Sequence, residues 1–475
     1  MRFAPVLAVV AAAVAGLAHA GEPPPRIANP GFDDWRDGSP AGWRVEVGAS
    51  WGEGPASVIE RGAEGGVAFR GDGATRVWRM IAQTVAVAPG TTYRLSYELR
   101  GRGLTLEAGQ TDNAYVRVVE RGAKNAASLL ATAEREAWTP GEIVFRASAP
   151  EVDVAAFLSK TGTLEARALA LEALRPEDSL GVLARHMDRY YSFFETKKVD
   201  WAKLVASHRE RIASAPDEAG FVGALKDLLA ELRDPHVSIR ASDGKVVHTW
   251  TERPAANYDF QAVLGSVTKA RRIDRHLVGL IGDDIGYAAI TSLLEPMDLA
   301  LEKALLEFFD RKGIVLDLRA NGGGAETAGL AIAARFADRP RMYALRRRRN
   351  GPAHGDFGPA RESWLRPAGE KPFSGPVVVL IGPHCISSGE GFVQMLRVLP
   401  NVRTVGLATR GGSGNPAQVD LPNGVGVAFS RWVNFLPDGT PTEGRGIPPD
   451  VEVVPAGPGD PTLRAGVEDL RRRMR

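Results

Sequence analysis

The period of the apolar residues changes at one place in this chain, around Arg175-Pro176-Glu177-Asp178. Before it, apolar and polar residues alternate in short runs closed by Gly, Pro and Asp, as in TTYRLSYELRG (91–101), NAYVRVVERG (113–122) and GEIVFRAS (141–148). Side chains that alternate this way line the two faces of a sheet. After the change, LGVLARHMDRYYSFF and DEAGFVGALKDLLAELR carry apolar residues three and four apart, the spacing of a helix with one buried face. One chain cannot satisfy both periods in one layer. The pattern therefore predicts an all-β sandwich over 26–174, followed by a helical subdomain over 180–240.

Beyond a weakly patterned stretch (241–283), strand and helix signals alternate. IGYAAI (285–290) precedes a helical 297–313, and the strand GIVLDLR (313–319) leads to a helix from near Glu326. PVVVLIG (376–382) precedes the helical GEGFVQMLRVL (389–399), and two strands come next at 402–408 and 426–432. This alternation predicts an α/β core with a mostly parallel sheet over 241–455, and a C-terminal tail over 456–475. In such sheets reactive side chains gather at the carboxyl ends of strands.

Residues 1–20, MRFAPVLAVVAAAVAGLAHA, pair one early charge with a short apolar run and an Ala-His-Ala ending, the pattern of a secretory signal peptide. The expected location is periplasmic or secreted, with no membrane span after signal cleavage. One cysteine, Cys385, excludes an intramolecular disulfide framework. A formal net charge of +2 with mixed signs gives no case for nucleic acid. The cluster Arg346–Arg349 is the local exception, and Arg346 and Arg347 are candidates for substrate contact. No cofactor and no metal set is indicated.

Two strand ends carry the chemistry. The strand at 376–382 runs into PHCISSGEGF, where Ser387 is a candidate nucleophile and Ser387-Ser388-Gly389-Glu390 has the form of a helix capping box. The strand at 313–319 runs into NGGG, whose Gly322, Gly323 and Gly324 let the backbone present bare N–H groups, as an oxyanion site requires. The glycines lack the Lys-Ser/Thr of a phosphate loop and the spacing of a dinucleotide fingerprint. No histidine occurs after His384 and no lysine after Lys371. An α/β-hydrolase triad and a downstream lysine base are thereby excluded. Among the upstream histidines the candidates are His384 in the same segment and His236 in DPHVSI, where Pro235 stops a helix and β-branched residues begin a strand.

GIVLDLRANGGG, PVVVLIGPHCISSGEGF, TVGLATRGGSGNP, LPNG and TEGRGIPPDVEV occur in the order and spacing of the C-terminal-processing (tail-specific) serine peptidases, and the segment 180–240 with DPHVSI resembles their tricorn-like and retinoid-binding-protein-like branch. The resemblance covers about 180–455 and implies a crotonase/ClpP-like sheet and hydrolysis of a peptide or protein substrate near its C-terminus. It implies Ser387 as nucleophile, His236 as general base and Glu443 as orienting carboxylate. Ser388 and the Gly322–Gly323 turn would supply the oxyanion donors. The lysine of the processing branch falls at Gly412, and 241–283 is too short for a PDZ domain. NPGFDDWRDGSPAGWRV (29–45) and EARALALEAL (165–174) resemble the outer strands of galactose-binding-like, jelly-roll carbohydrate-binding modules. That resemblance implies a glycan or cell-wall ligand, with Trp35, Trp43, Trp51, Trp78 and Trp138 as platforms or as core. The alternative function is a non-catalytic glycan- or ligand-binding protein on a degenerate peptidase fold.

Overall fold

The computed structural model describes residues 25–49, 58–72, 77–104, 114–120, 129–132, 136–159, 161–293, 299–349, 351–369 and 371–475. The signal-peptide reading of 1–20, Trp51 and the side chain of Trp78 lie outside that set.

The alternating runs form two five-stranded antiparallel sheets. One is ordered Thr139–Arg146, Thr92–Arg102, Thr161–Ala173, Val67–Asp72, Val58–Arg61, and the other Arg44–Ala49, Val77–Ala86, Glu151–Ser159, Ala114–Glu120, Leu129–Thr132. Tyr93, Leu95, Tyr97 and Leu99 point inward from the first and meet Val116, Val118, Val152 and Val154 of the second in one core. Trp43 belongs to that core. Trp138 is no open platform, because the Arg100 and Arg167 guanidinium carbons lie 4.5 and 4.0 Å from its ring centroid and its indole N–H donates to Glu64 at 3.0 Å. Trp35 is half-buried.

The segment Arg175–Asp178 does not hold the sandwich away from the helical subdomain. Val144 enters the core of that subdomain, the His186 ring nitrogen lies 3.4 Å from Glu142, and the Thr92 hydroxyl donates to the Leu421 carbonyl at 3.4 Å. The helices Ser179–Tyr190, Trp201–Ala213 and Glu218–Ala230 begin as the sequence suggests, with Asp200 and Asp217 carboxylates accepting from Lys203 and Gly220 N–H. Their apolar faces close over a four-stranded sheet, ordered Val246–His248, Ser238–Arg240, Gly426–Phe429, Ala417–Asp420. The strand that begins just after His236 is thus paired with a hairpin from the far end of the chain.

The core sheet has seven strands, ordered Thr268–Ile273, His276–Ile281, Ile285–Ala289, Gly313–Asp317, Val377–Ile381, Val402–Gly406, Val451–Glu452. The first two pairings are antiparallel and the remaining four parallel. Val377, Val379 and Ile381 face the helices Glu326–Ala333 and Ser388–Arg397, while Val378 and Leu380 face the opposite layer. Burial on both faces removes alternation from such strands. That is why 241–283 looked unpatterned although it contributes HLVGLI, buried at every position. The expected tail over 456–475 is instead a helix, Pro461–Arg473, whose Leu463, Val467 and Leu470 cover the second face. Its capping Asp460 is bonded at 2.7 Å by fully buried Arg319, which also pairs with Asp317 at 2.6 Å.

Candidate active site

The strand Val377–Ile381 delivers the chain to Ser387, which immediately precedes the helix Ser388–Arg397. Ser387 has φ 60° and ψ −131°, a region that a residue with a Cβ rarely enters. Such strain costs about 1–3 kcal/mol and survives only where neighbours over-determine it. Here the Ser387 N–H donates to the Gly412 carbonyl at 2.8 Å, the Ile386 N–H to the Asn321 carbonyl at 3.0 Å, and the Glu390 N–H back to the Ser387 carbonyl at 2.9 Å. The NGGG turn closes the other side. A Cβ on Gly323, whose φ is 88°, would stand 2.8 Å from that of Ser387. Among the described residues the Ser387 hydroxyl makes no hydrogen bond, whereas the Ser388 hydroxyl donates to the Gly324 carbonyl at 2.7 Å. Ser387 therefore carries the reactive geometry. Only the Ser387 half of the expected capping box is absent, since its side chain makes no cap bond, whereas the Ser387 N–H is among the backbone groups that stabilise the Glu390 carboxylate.

The oxyanion donors need the same revision. The Gly322 N–H donates to the Thr291 carbonyl at 3.0 Å and the Gly323 N–H to Asn321 Oδ1 at 2.9 Å, so both are already used. Among the described residues, the N–H groups of Ser388 and Gly324 have no partner and flank the same turn. The N–H groups of Gly322 and Gly323 are engaged, and the free one lies a residue later, at Gly324.

Glu390 does what the sequence left unread. It is fully buried, its Oε1 accepts from the Thr409 hydroxyl at 2.5 Å and the Gly411 N–H at 2.8 Å, and its Oε2 accepts from the Gly412 N–H at 2.9 Å. Burial pushes its pKa up to about 7 against the pull of those bonds. The carboxylate thus clamps the loop that holds Ser387. Gly412 is also the contact with the second half of the site, because a Cβ there would lie 2.9 Å from Pro235 Cγ and 3.1 Å from Ile386 Cδ1. Position 412, where the processing branch has its lysine, cannot hold a long side chain between those two turns.

His236 comes directly after Pro235 in a turn made by Asp234, whose Oδ1 accepts the His236 N–H at 2.8 Å and whose carbonyl accepts from Val237 at 3.1 Å. Asp234 is wholly buried and its Oδ2 accepts from the Tyr191 hydroxyl at 3.1 Å. The His236 Nδ1 lies 3.9 Å from Asp234 Oδ1, too far for a hydrogen bond, and is otherwise unpartnered. Burial, with Lys197 nearby, lowers the imidazole pKa below its ordinary 6.5, while Asp234 opposes them. Glu443 is 6 % exposed and enters the same cluster through the Gly444 N–H bond to the Gly411 carbonyl. Its Oε1 pairs with Lys197 Nζ at 2.9 Å, and among the described residues its Oε2 has no partner. Burial and Asp234 raise its pKa to about 8, and Lys197 limits the rise. Asp234 and Lys197 were not foreseen. Asp234 could have been flagged by its place before the Pro-His pair, but nothing near Lys197 points 246 residues ahead to Glu443.

The arginines expected to meet substrate are engaged within the protein. Arg346 pairs with Glu326 and lies 4.6 Å over the Trp432 ring, and Arg347 donates to the Gly358 and Phe357 carbonyls. His384 is a packing residue, bonded to the Pro254 carbonyl at 2.8 Å. The Cys385 thiol is buried and its pKa pushed up, so it stays protonated.

The profile of "Peptidase family S41" matches residues 284–453. That segment is similar to the peptidase domain of this family. It contains Gly322–Gly324, Ser387, Ser388 and Glu443, and leaves His236 and Lys197 outside. The C-terminal processing peptidase, chloroplastic, of Tetradesmus obliquus is 26% identical over 179 residues, which are 37% of this chain and 37% of that protein. The chain therefore spans little more than a third of that relative. The crystal structure of a Parabacteroides merdae protein assigned as a peptidase superposes with a TM-score of 0.56 at 28% identity, over 62% of this chain and 97% of that one. TmCBM61 with β-1,4-galactotriose aligns over 31% of this chain and 97% of its own, at 17% identity and a TM-score of 0.23, too low to bear on a ligand here. The family is one of serine peptidases, and the part of this chain that resembles it, residues 284–453, lies within the α/β core. Among the described residues no helix is long and apolar enough to cross a membrane.

Proposed function

We propose that this chain is a serine peptidase that hydrolyses peptide bonds near polypeptide C-termini, with Ser387 as nucleophile, His236 as general base and Glu443 as the carboxylate that orients the imidazole. Gly412 is the observation that supports the reading most: its carbonyl accepts the Ser387 N–H, and a Cβ on it would lie 2.9 Å from Pro235 Cγ, so the Ser387 turn and the DPH turn both border this residue and leave little room for a lysine there. His236 takes the hydroxyl proton as Ser387 attacks the carbonyl carbon. The Ser388 and Gly324 N–H groups, beside the positive end of the helix Ser388–Arg397, receive the oxyanion. Collapse breaks the C–N bond, and the departing amine takes the proton from His236. Water, deprotonated by the same imidazole, then cleaves the ester and restores Ser387. Catalytic hydrogen bonds are often long in a free enzyme and tighten with substrate, which accommodates the unpartnered His236 Nδ1.

The finer parts of the proposal are a crotonase/ClpP-like core, a jelly-roll carbohydrate-binding-like sandwich with a glycan or cell-wall ligand, and action outside the cytoplasm, in the periplasm or as a secreted protein. The sequence pattern of residues 1–20 supports export, and among the described tryptophans Trp35 is the remaining glycan candidate. Peptide-library cleavage read by mass spectrometry, wild type against Ser387→Ala, tests the reading. Cleavage near C-termini that vanishes with Ser387 supports it, and cleavage that persists overturns it.

A further inference from the structure

The cluster around His236 holds a cation that the proposed reaction does not use. Lys197 ends the short helix Phe194–Lys197, and its side chain is largely buried, with 16% of its surface exposed. A buried ammonium needs acceptors. Lys197 Nζ has two: Glu443 Oε1 at 2.9 Å and the Arg233 carbonyl at 3.2 Å. Its Nζ also lies 5.7 Å from the centroid of the Phe193 ring. The first acceptor is the orienting carboxylate. The second is the backbone immediately before Asp234, at a residue with φ 46°, where the chain turns sharply toward His236. One ammonium therefore ties the Glu443 loop to the turn that presents the base, although the two lie in distant parts of the sequence.

We infer that Lys197 is a positioning residue, which holds the Glu443 carboxylate in register with the His236 turn and favours its charged form. This rests on the peptidase reading of Ser387 and His236. The charges close around it. Asp234 and, once ionised, Glu443 each bring one negative charge into a buried site, and Lys197 offsets one of them before reaction. When His236 takes the Ser387 proton, its imidazolium offsets the other. Without Lys197, a neutral His236 would face two uncompensated carboxylates, and the cheapest relief is protonation of Glu443. Tyr191, bonded to Asp234, and Glu390, behind the Gly411–Gly412 loop, are the other titratable groups facing the cluster, and neither brings a cation.

The test is the pH dependence of kcat/KM, measured in parallel with fluorophosphonate labelling of Ser387, for wild type, Lys197→Met, Lys197→Arg, Glu443→Gln and Lys197→Met/Glu443→Gln. Loss of a cation in contact with a buried carboxylate moves its titration by about one to three pH units. Lys197→Met is expected to shift the acid limb upward by about one unit or more. Lys197→Arg should restore the wild-type limb. A lower rate with an unmoved limb would mean that Lys197 only supports the fold, and overturns the inference. The double variant removes the Lys197–Glu443 pair together, leaving Asp234 as the buried charge, and serves if the single variant does not fold. It is expected to match Glu443→Gln alone within about threefold, and a further tenfold loss would show that Lys197 acts by another route. Wild type that neither labels at Ser387 nor cleaves peptide removes the peptidase reading itself, a result distinct from an unmoved limb in an active enzyme.

Discussion

The two turns that meet at Gly412 are held by different forces. The Ser387 turn is fixed by main-chain hydrogen bonds to Gly412 and Asn321 and by close backbone approach at Gly323, with Glu390 from its own helix clamping the loop beside it. The His236 turn is fixed by side chains that carry charge: Asp234, Lys197 and Glu443, with Tyr191 behind them. Backbone geometry sets where the nucleophile sits and changes little with pH. Charge sets how basic its partner is. The first turn should therefore fail sterically and the second electrostatically.

The largest effect is expected where each turn loses its reacting group. Ser387→Ala and His236→Ala should each lower kcat/KM by roughly 10³-fold or more, and the pair together little further, because they act as one unit. Gly412→Lys comes next, since its Cβ alone would crowd Pro235 at 2.9 Å. Displacing the two turns should cost about 10²-fold in kcat/KM, and the new amine should not rescue His236→Ala. Recovery of activity in that double variant would show that the site accepts a lysine base after all.

Glu390→Gln separates the mechanical from the electrostatic part of the Ser387 turn. An amide cannot accept at both ends, so one of the Gly411 or Gly412 N–H groups is left unpaired, at about 1–3 kcal/mol of stability and about tenfold in rate. The pH dependence gives a second readout. Burial raises this carboxyl from 4.5 to about 7, so between those values the folded chain keeps a proton that the unfolded chain has lost. Its contribution is fully present below 4.5 and is lost as pH rises through 7. Thermal denaturation of Glu390→Gln across that window should lack this part of the decline. The smallest effect is expected for Ser388→Ala, which removes a hydroxyl bond to Gly324 but keeps the N–H that faces the oxyanion. A loss of about fivefold is expected, near 1 kcal/mol.

The sequence made one half of this site more legible than the other, for the same reason. Main-chain devices leave local signatures: NGGG and SSGEG each lie within a few residues of the group they position, and DPH marks its own junction. Even there the local pattern does not tell which glycine N–H stays free, because that depends on Thr291 and Asn321 accepting the other two. Charged devices leave no such mark. Lys197 and Glu443 meet only after the helical subdomain closes over the hairpin 417–429, and Glu390 resembled a helix cap alone because its other partners lie in another loop. At the level of the fold, alternation exposed the sandwich, while the uniformly buried strand His276–Ile281 and the docked helix Pro461–Arg473 carried too little periodic contrast to be read.

The pH profile of peptide cleavage in wild type and His236→Ala tests most directly that an imidazole, tuned by buried carboxylates, drives Ser387. Wild-type kcat/KM should rise with pH through the neutral range, as His236 loses its proton below 6.5 and Glu443 ionises near 8, and should level off above that. His236→Ala should lie roughly 10³-fold lower at every pH. Activity that still climbs past about pH 9 and is indifferent to His236→Ala would assign the proton to an amine and contradict the triad.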